Sequence, residues 1–128
     1  MKKVLILVAA LVCIATPASA WVVVAEPYVP AADGSVGIPT SFVYKVDSGA
    51  ETSVAAVNPT GYPSYFTAPT GGWPAGSAAF VLDVTALKGN HSLVVKAVNA
   101  EGESAYSSPF AFTVPVKPVA PTQIRLLR

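Results

Sequence analysis

The sequence predicts an all-β protein, a sandwich of antiparallel strands with about seven strands or slightly fewer. Residues 87–114 show the pattern most clearly, because apolar and polar side chains alternate there with period two around a central turn. Twelve prolines and nine glycines leave only short segments between them, which is typical of loop-rich β-proteins. After residue 20 no segment has a convincing helical period. The chain is long enough for one domain with a single core.

The first 20 residues have the layout of a secretory signal peptide. A basic start is followed by an apolar run over residues 4–15, and then by a proline and an Ala-x-Ala site that ends at Ala20. A membrane span needs about 20 apolar residues, so an anchor is the weaker interpretation. Cys13 follows Val12 rather than the small residue of a lipoprotein signal. We expect cleavage after Ala20 and export to the periplasm, the cell surface or the medium.

Cleavage would remove 20 of the 128 residues and leave 108 that contain no cysteine. These residues can form no disulfide, so burial must stabilise the exported domain. Their six basic and seven acidic side chains give a net charge of −1. No basic patch remains, which argues against nucleic acid and anionic membrane surfaces as partners. The lack of disulfides and the compact signal favour a bacterial or bacteriophage source.

Three strands are predicted in the first half of this domain. Residues 21–26 begin with an aromatic and β-branched run, and residues 27–39 are broken by prolines and glycines into a connection. Residues 41–46 alternate as a strand. The segment Asp47-Ser48-Gly49-Ala50 has turn chemistry. Residues 52–57 can therefore return as the partner strand of a hairpin.

The second half adds three more predicted strands. Residues 78–85 are rich in apolar residues, and residues 90–99 follow a tight corner. Alternation places His91 on the inward face of that strand. Residues 99–104 have turn chemistry, and residues 110–114 alternate again as the last strand.

Residues 87–114 resemble the last two strands of fibronectin type III domains and of related bacterial immunoglobulin-like domains. The matching elements are Leu87 with Gly89, Val95-x-Ala97-Val98-Asn99, Gly102-Glu103-Ser104 and Ser108-Pro109. Residues 42–47, FVYKVD, look like the central strand of that family. The resemblance implies an immunoglobulin-like antiparallel β-sandwich over residues 21–115.

The chain departs from the family pattern at two points. His91 stands where the family often carries a corner tyrosine, a substitution familiar from bacterial immunoglobulin-like variants. The tryptophan of an early family strand has no clear counterpart, because Trp21 and Trp73 lie elsewhere in the sequence. The chain therefore resembles a divergent or shortened member.

Residues 116–128 form a Pro-containing tail that resembles the linker and first strand of a following fibronectin type III domain. One interpretation is a Pro-stiffened terminus that frays. The other is that Ile124 and Leu126, which alternate with Arg125, pair with a sheet edge of this or another molecule.

A long loop over residues 58–76 is the strongest candidate for function. It holds Tyr62, Tyr65, Phe66 and Trp73, four of the 12 aromatic residues of the chain. Loops of this length are usually functional or disordered. Flat aromatic rings can stack on sugars or anchor a protein partner. The alternative is that two or three of them fold back as a lid over the end of the sandwich.

Catalytic chemistry has little support in the sequence. A Ser-His-Asp set can be drawn from Ser92, His91 and Asp83, but Ser92 and His91 point to opposite faces of one strand. No nucleophile motif or paired-acid signature appears. With one histidine and no cysteine after Ala20, we expect no metal site and no cofactor.

The sequence therefore predicts a non-catalytic binding or adhesion module, which recognises a protein or carbohydrate through the loop aromatics or a sheet edge. The alternative is a structural accessory subunit of a surface assembly, filament or virion, with the tail as connector. Self-association is compatible with either function, whereas nucleic acid and membrane insertion after signal cleavage are not expected.

Overall fold

The computed structural model describes residues 20–128, and antiparallel strands account for nearly all their regular structure. The strands are β1 (Val22–Val24), β2 (Ser41–Val46), β3 (Thr52–Ala55), β4 (Val81–Asp83), β5 (Gly89–Asn99), β6 (Gly102–Glu103) and β7 (Phe110–Val114), and a 3₁₀ turn lies at Pro59–Gly61. The all-β prediction is confirmed. The predicted signal peptide lies outside the described residues apart from Ala20.

The strands form two antiparallel sheets. The larger sheet has the order β3-β2-β5, and β6 and β7 both pair with the other edge of β5. Leu93 at the centre of β5 is paired with Val46 on one side and Phe110 on the other. The smaller sheet pairs β1 with β4. Strand β5 thus has neighbouring strands along both of its edges.

Side chains from both sheets meet in one core. Phe42 of β2, Phe80 just before β4 and Leu93 of β5 are buried together. The rings of Phe42 and Phe80 lie edge to face with their centroids 5.3 Å apart, an arrangement that aromatic pairs prefer. Val23 and Leu82 of the smaller sheet pack against this cluster. Two layers over a shared core are compatible with a β-sandwich.

Three strands, β1, β3 and β4, are shorter than predicted, and β3 ends early because the chain leaves the larger sheet after residue 55. The Ala56 N–H donates to the Thr40 carbonyl beside the larger sheet, at 3.1 Å. The next residue, Val57, instead forms an isolated bridge with Ala79, two residues before β4 of the smaller sheet. Residues 52–57 therefore divide between the two sheets, and regular pairing in the later segment begins only at Val81.

Candidate binding surfaces

The long loop is closed at its base and held by its own hydrogen bonds. Val57 and Ala79 exchange backbone hydrogen bonds of 3.0 and 2.8 Å at the point where the loop begins and ends. Asn58 Oδ1 accepts from the Thr60 N–H at 3.0 Å and so caps the 3₁₀ turn. Ser77, which is buried, donates its hydroxyl to the Pro74 carbonyl at 2.7 Å. The aromatic residues are therefore carried by a loop with defined turns.

Two tyrosines of the loop form one exposed stack. The rings of Tyr62 and Tyr65 lie 5.8 Å apart between centroids and 18° from parallel. A turn brings them together, because the Tyr65 N–H donates to the Tyr62 carbonyl at 3.0 Å. Tyr65 is 42% exposed, and Tyr62 is half-buried. The pair presents flat aromatic surface at the outside of the loop.

The other two predicted residues line a cavity instead. Phe66 is only 8% exposed and Trp73 is half-buried. Both contribute to the wall of a cavity of about 330 Å³, together with Pro59 and Pro63. Positive φ values at Gly71 and Gly72, 86° and 88°, turn the chain just before Trp73. The four aromatics therefore form an exposed tyrosine pair and a cavity wall, rather than one continuous surface.

His91 forms a compact hydrogen-bonded site at the turn after β2. Its Nδ1 lies 2.5 Å from Asp47 Oδ2, and its Nε2 lies 2.9 Å from the Lys88 carbonyl oxygen. Asp47 Oδ1 also accepts from the Ser92 N–H at 2.8 Å. Asp47 can reach both groups because it lies in the left-handed region, with φ 51°, where Asp is tolerated.

The geometry favours the charged imidazolium form of His91. Both ring nitrogens face oxygen acceptors, and a neutral ring has only one N–H to donate. The hydrogen bond to Asp47, followed by the one to the Lys88 carbonyl, raises the pKa of His91 above 6.5. In return, the bond from His91 and then the Ser92 N–H lower the pKa of Asp47. The carboxylate beside His91 is thus Asp47, whereas Asp83 accepts from the Thr85 N–H.

We expect this site to make stability depend on pH. A raised histidine pKa stabilises the fold fully below the unfolded value near 6.5, and that contribution is lost as pH rises through the folded pKa. Because His91 is the only histidine, its Cε1 proton reports this pKa directly in an NMR titration. Asp47→Asn should lower the measured pKa toward 6.5.

Asp33→Asn is the matched control for that titration, because Asp33 accepts from the Ser35 N–H and has no bond to His91. It should leave the His91 pKa unchanged. An Asp47→Asn variant with the same His91 pKa as the wild type would contradict the assigned contact.

A second polar cluster, not predicted from the sequence, lies around Lys96. The Lys96 Nζ is 3.2 Å from Glu51 Oε2 and 3.1 Å from Glu103 Oε1. The Tyr106 hydroxyl donates to Glu51, and the ammonium groups of Lys45 and Lys96 lie 4.8 and 4.9 Å from the centre of its ring. The hydrogen bonds to Glu103 and Glu51 raise the pKa of Lys96. These charges compensate one another, so the cluster is best explained as part of the sheet surface.

One side of the domain is open between its two sheets, and we call it the open side. It is bounded by residues 21–28 and by residues 104–114. Two cavities lie along it: one of about 290 Å³ beside Trp21 and β1, and one of about 620 Å³ between residues 25–28 and the segment before β7. A sheet edge was predicted as a possible binding surface, but its position was not predicted from the sequence. The apolar residues of β1 and β7 are the sequence feature that could have indicated it.

The tail over residues 116–128 does not occupy the open side of its own domain. Ile124 and Leu126 are 85% and 94% exposed. No hydrogen bond joins residues 116–128 to any other part of the chain that the structure describes. The tail residues predicted to make contacts are thus free to meet another molecule.

Within residues 20–128, no group of three or more His, Cys, Asp and Glu side chains is placed to hold a metal ion. No helix in the same residues is long and apolar enough to cross a membrane. Comparison with protein-family models, with curated proteins and with solved structures gives no match for this chain.

Proposed function

We propose that this protein is an exported, non-catalytic binding module that recognises a protein or a carbohydrate through the loop over residues 58–76. The observation that carries the proposal is the stacked pair of Tyr62 and Tyr65, of which Tyr65 is exposed. A cavity walled by Phe66 and Trp73 in the same loop adds a concave element.

The physical argument is preorganisation. Aromatic side chains bury a large area and lose little conformational entropy, so they often dominate binding energy when they are held in place. The loop is fixed by the bridge at Val57 and by the cap at Asn58. A loop that is ordered before it meets its ligand loses less entropy on binding.

The proposal includes an immunoglobulin-like fold of the fibronectin type III kind. The order β3-β2-β5-β7 corresponds to strands C′-C-F-G of such sandwiches, and the pair β1-β4 corresponds to B-E. His91 bonds to a backbone carbonyl three residues upstream, at Lys88, as a corner residue does. Under this correspondence, no strand among residues 20–128 takes the place of strand A.

The test is a binding array that carries both oligosaccharides and extracellular proteins, probed with the purified full chain. Tyr65→Ala and Trp73→Ala should each weaken binding to the recognised ligand by about tenfold or more, as hot-spot aromatics do. The free energy of unfolding should change by less than about 1 kcal/mol for Tyr65→Ala, because Tyr65 projects outward. Trp73→Ala should lose more, because Trp73 is half-buried, but less than a buried ring loses.

Phe66→Ala is the comparison variant, since Phe66 is buried and should lose about 3–5 kcal/mol of stability. If Tyr65→Ala and Trp73→Ala bind normally, or if they lose stability as Phe66→Ala does, the loop is a lid and not a recognition surface.

A structural accessory subunit of a surface assembly, filament or virion is the second candidate. The exposure of Ile124 and Leu126, on a tail that forms no hydrogen bond with the rest of residues 20–128, favours it. An exposed apolar segment of this kind is often an interaction site. In this role the tail would connect one subunit to the next.

A further inference from the structure

We propose that the open side of the domain binds the tail, residues 116–128, of a second copy of this chain. The tail would add a strand beside β1 and place Ile124 and Leu126 over the apolar groove between β1 and β7. This inference deepens the second candidate function by naming the acceptor, and it does not depend on the aromatic loop.

The acceptor has unused backbone hydrogen-bonding groups. Strand β1 bonds to the β4 side through alternate residues, since the Trp21 carbonyl accepts from Val84 and the Ala25 N–H donates to Phe80. In an antiparallel pair, successive residues of a strand direct their N–H and C=O groups to opposite sides. The N–H and C=O groups of Val22 and Val24 therefore point away from β4. No other strand among residues 20–128 pairs with them. A free edge of this kind is a template for another strand.

The groove beside this edge is apolar. All nine residues that line its cavity next to β1 are uncharged. Phe110 and Phe112 of β7 stack along it with their centroids 6.3 Å apart. Phe110 is nevertheless 53% exposed, and Trp21 is exposed opposite it. The groove therefore offers aromatic surface that an aliphatic strand could cover.

The charge distribution favours the tail as the occupant. Residues 21–115 carry seven carboxylates and three lysines, which gives a net charge of −4. The tail carries Lys117, Arg125 and Arg128 and no acidic residue, which gives +3. Opposite charges on the two partners favour association and steer it. The net charge of residues 21–128 is nearly neutral, so it does not show that the domain is acidic and the tail is basic.

The spacing of prolines at the start of the tail favours binding of the tail to a second copy of the chain, and not to the tail's own domain. Pro118 and Pro121 of the tail continue a spacing of three residues that begins at Pro115, the last residue of the domain, and this spacing matches the three-residue turn of a polyproline II helix. At about 3.1 Å per residue this segment extends about 20 Å beyond β7. Each proline also lacks the N–H that a hairpin back along β7 would use. The proline segment therefore favours a path that carries residues 122–128 away from the domain that bears them.

Length and alternation also fit. Residues 122–128 extended as a strand span about 23 Å, close to the roughly 26 Å of residues 21–28. Ile124 and Leu126 fall on one face of such a strand, and Leu127 falls on the other. Because donor and acceptor are different surfaces, each copy can give its tail to one neighbour and accept the tail of another. Such a contact builds a ring or an open filament.

The test is sedimentation velocity on the full chain over a wide range of concentrations. The wild type should form oligomers that grow with concentration, and added salt should weaken them. Ile124→Asp and Leu126→Asp should each weaken association by about tenfold or more. Phe110→Asp, which changes the acceptor groove and not the tail, should also weaken association. Leu127→Asp is the matched control and should still associate.

A tail peptide of residues 116–128 gives a direct readout of the groove. It is added to the full chain carrying Ile124→Asp and Leu126→Asp, with Trp73→Phe so that Trp21 is the remaining tryptophan. Binding should shift the Trp21 emission to the blue and saturate.

The inference is overturned if the wild type is monomeric throughout, if Leu127→Asp matches Ile124→Asp, or if the peptide leaves Trp21 emission unchanged. Tyr65→Ala should associate as the wild type does, so failure of the loop proposal and failure of this inference are distinguishable.

Discussion

Phe80→Ala is expected to lower the free energy of unfolding by about 3–5 kcal/mol, the usual cost of removing a buried phenylalanine ring. Phe80 is 1% exposed, and its ring contacts Phe42 and Tyr44 of the opposite sheet. The substitution leaves a cavity where the two sheets meet. Because it removes contacts from both layers, the loss should fall at the high end of this range.

Urea unfolding measures this effect. The midpoint should fall while the slope with denaturant stays constant, since the surface exposed on unfolding changes little. Phe110→Ala is the matched control, because the same ring at position 110 is half exposed and should cost about 1 kcal/mol or less. Equal losses at the two positions would contradict the core described for the two sheets.

Val114→Asp is expected to cost at least about 4 kcal/mol, because it buries a carboxylate with no partner. Val114 is 1% exposed at the end of β7, directly before the tail. Burial should raise the pKa of the introduced carboxyl. Stability should therefore recover as pH falls through that raised value, because the neutral acid is less costly to bury.

Ala111→Asp is the control for that variant, because residue 111 lies on the exposed face of the same strand. It should change the free energy of unfolding by less than about 1 kcal/mol and show no recovery at low pH. Thermal unfolding at pH 4 and pH 7 separates the two variants. A similar effect at both positions would mean that the alternation of β7 is misassigned.

The strands that the sequence predicted best are those whose two faces differ. Residues 41–46 and 110–114 appear in the structure with the predicted bounds, and residues 90–99 appear as Gly89–Asn99. In each strand a fully buried residue, Phe42, Leu93 or Val114, lies between less buried neighbours, so alternation reports it directly. Residues 52–57 were predicted as one strand, but the change of sheets at Ala56 has no signature in a pattern of period two.

The candidate sites were likewise predictable from the sequence only in part. A long aromatic loop is visible in the sequence, since Tyr62, Tyr65, Phe66 and Trp73 are crowded between prolines and glycines. The sequence does not show that these residues separate into an exposed pair and a cavity wall, because that separation depends on turns within the loop. The contact between His91 and Asp47 could not be predicted from the sequence either, because the two residues lie 44 positions apart along the chain.

Local sequence patterns were enough to predict an all-β chain of antiparallel strands with an aromatic loop and a Pro-containing tail. These properties depend on local composition and on alternation, which act over a few residues. Three features could be seen only in three dimensions: β1 and β7 border one open side, His91 bonds to Asp47, and the tail is exposed without a hydrogen bond to the rest of residues 20–128. Those features depend on which distant strands are neighbours, and strand pairing in a sheet is set by the fit of the whole core.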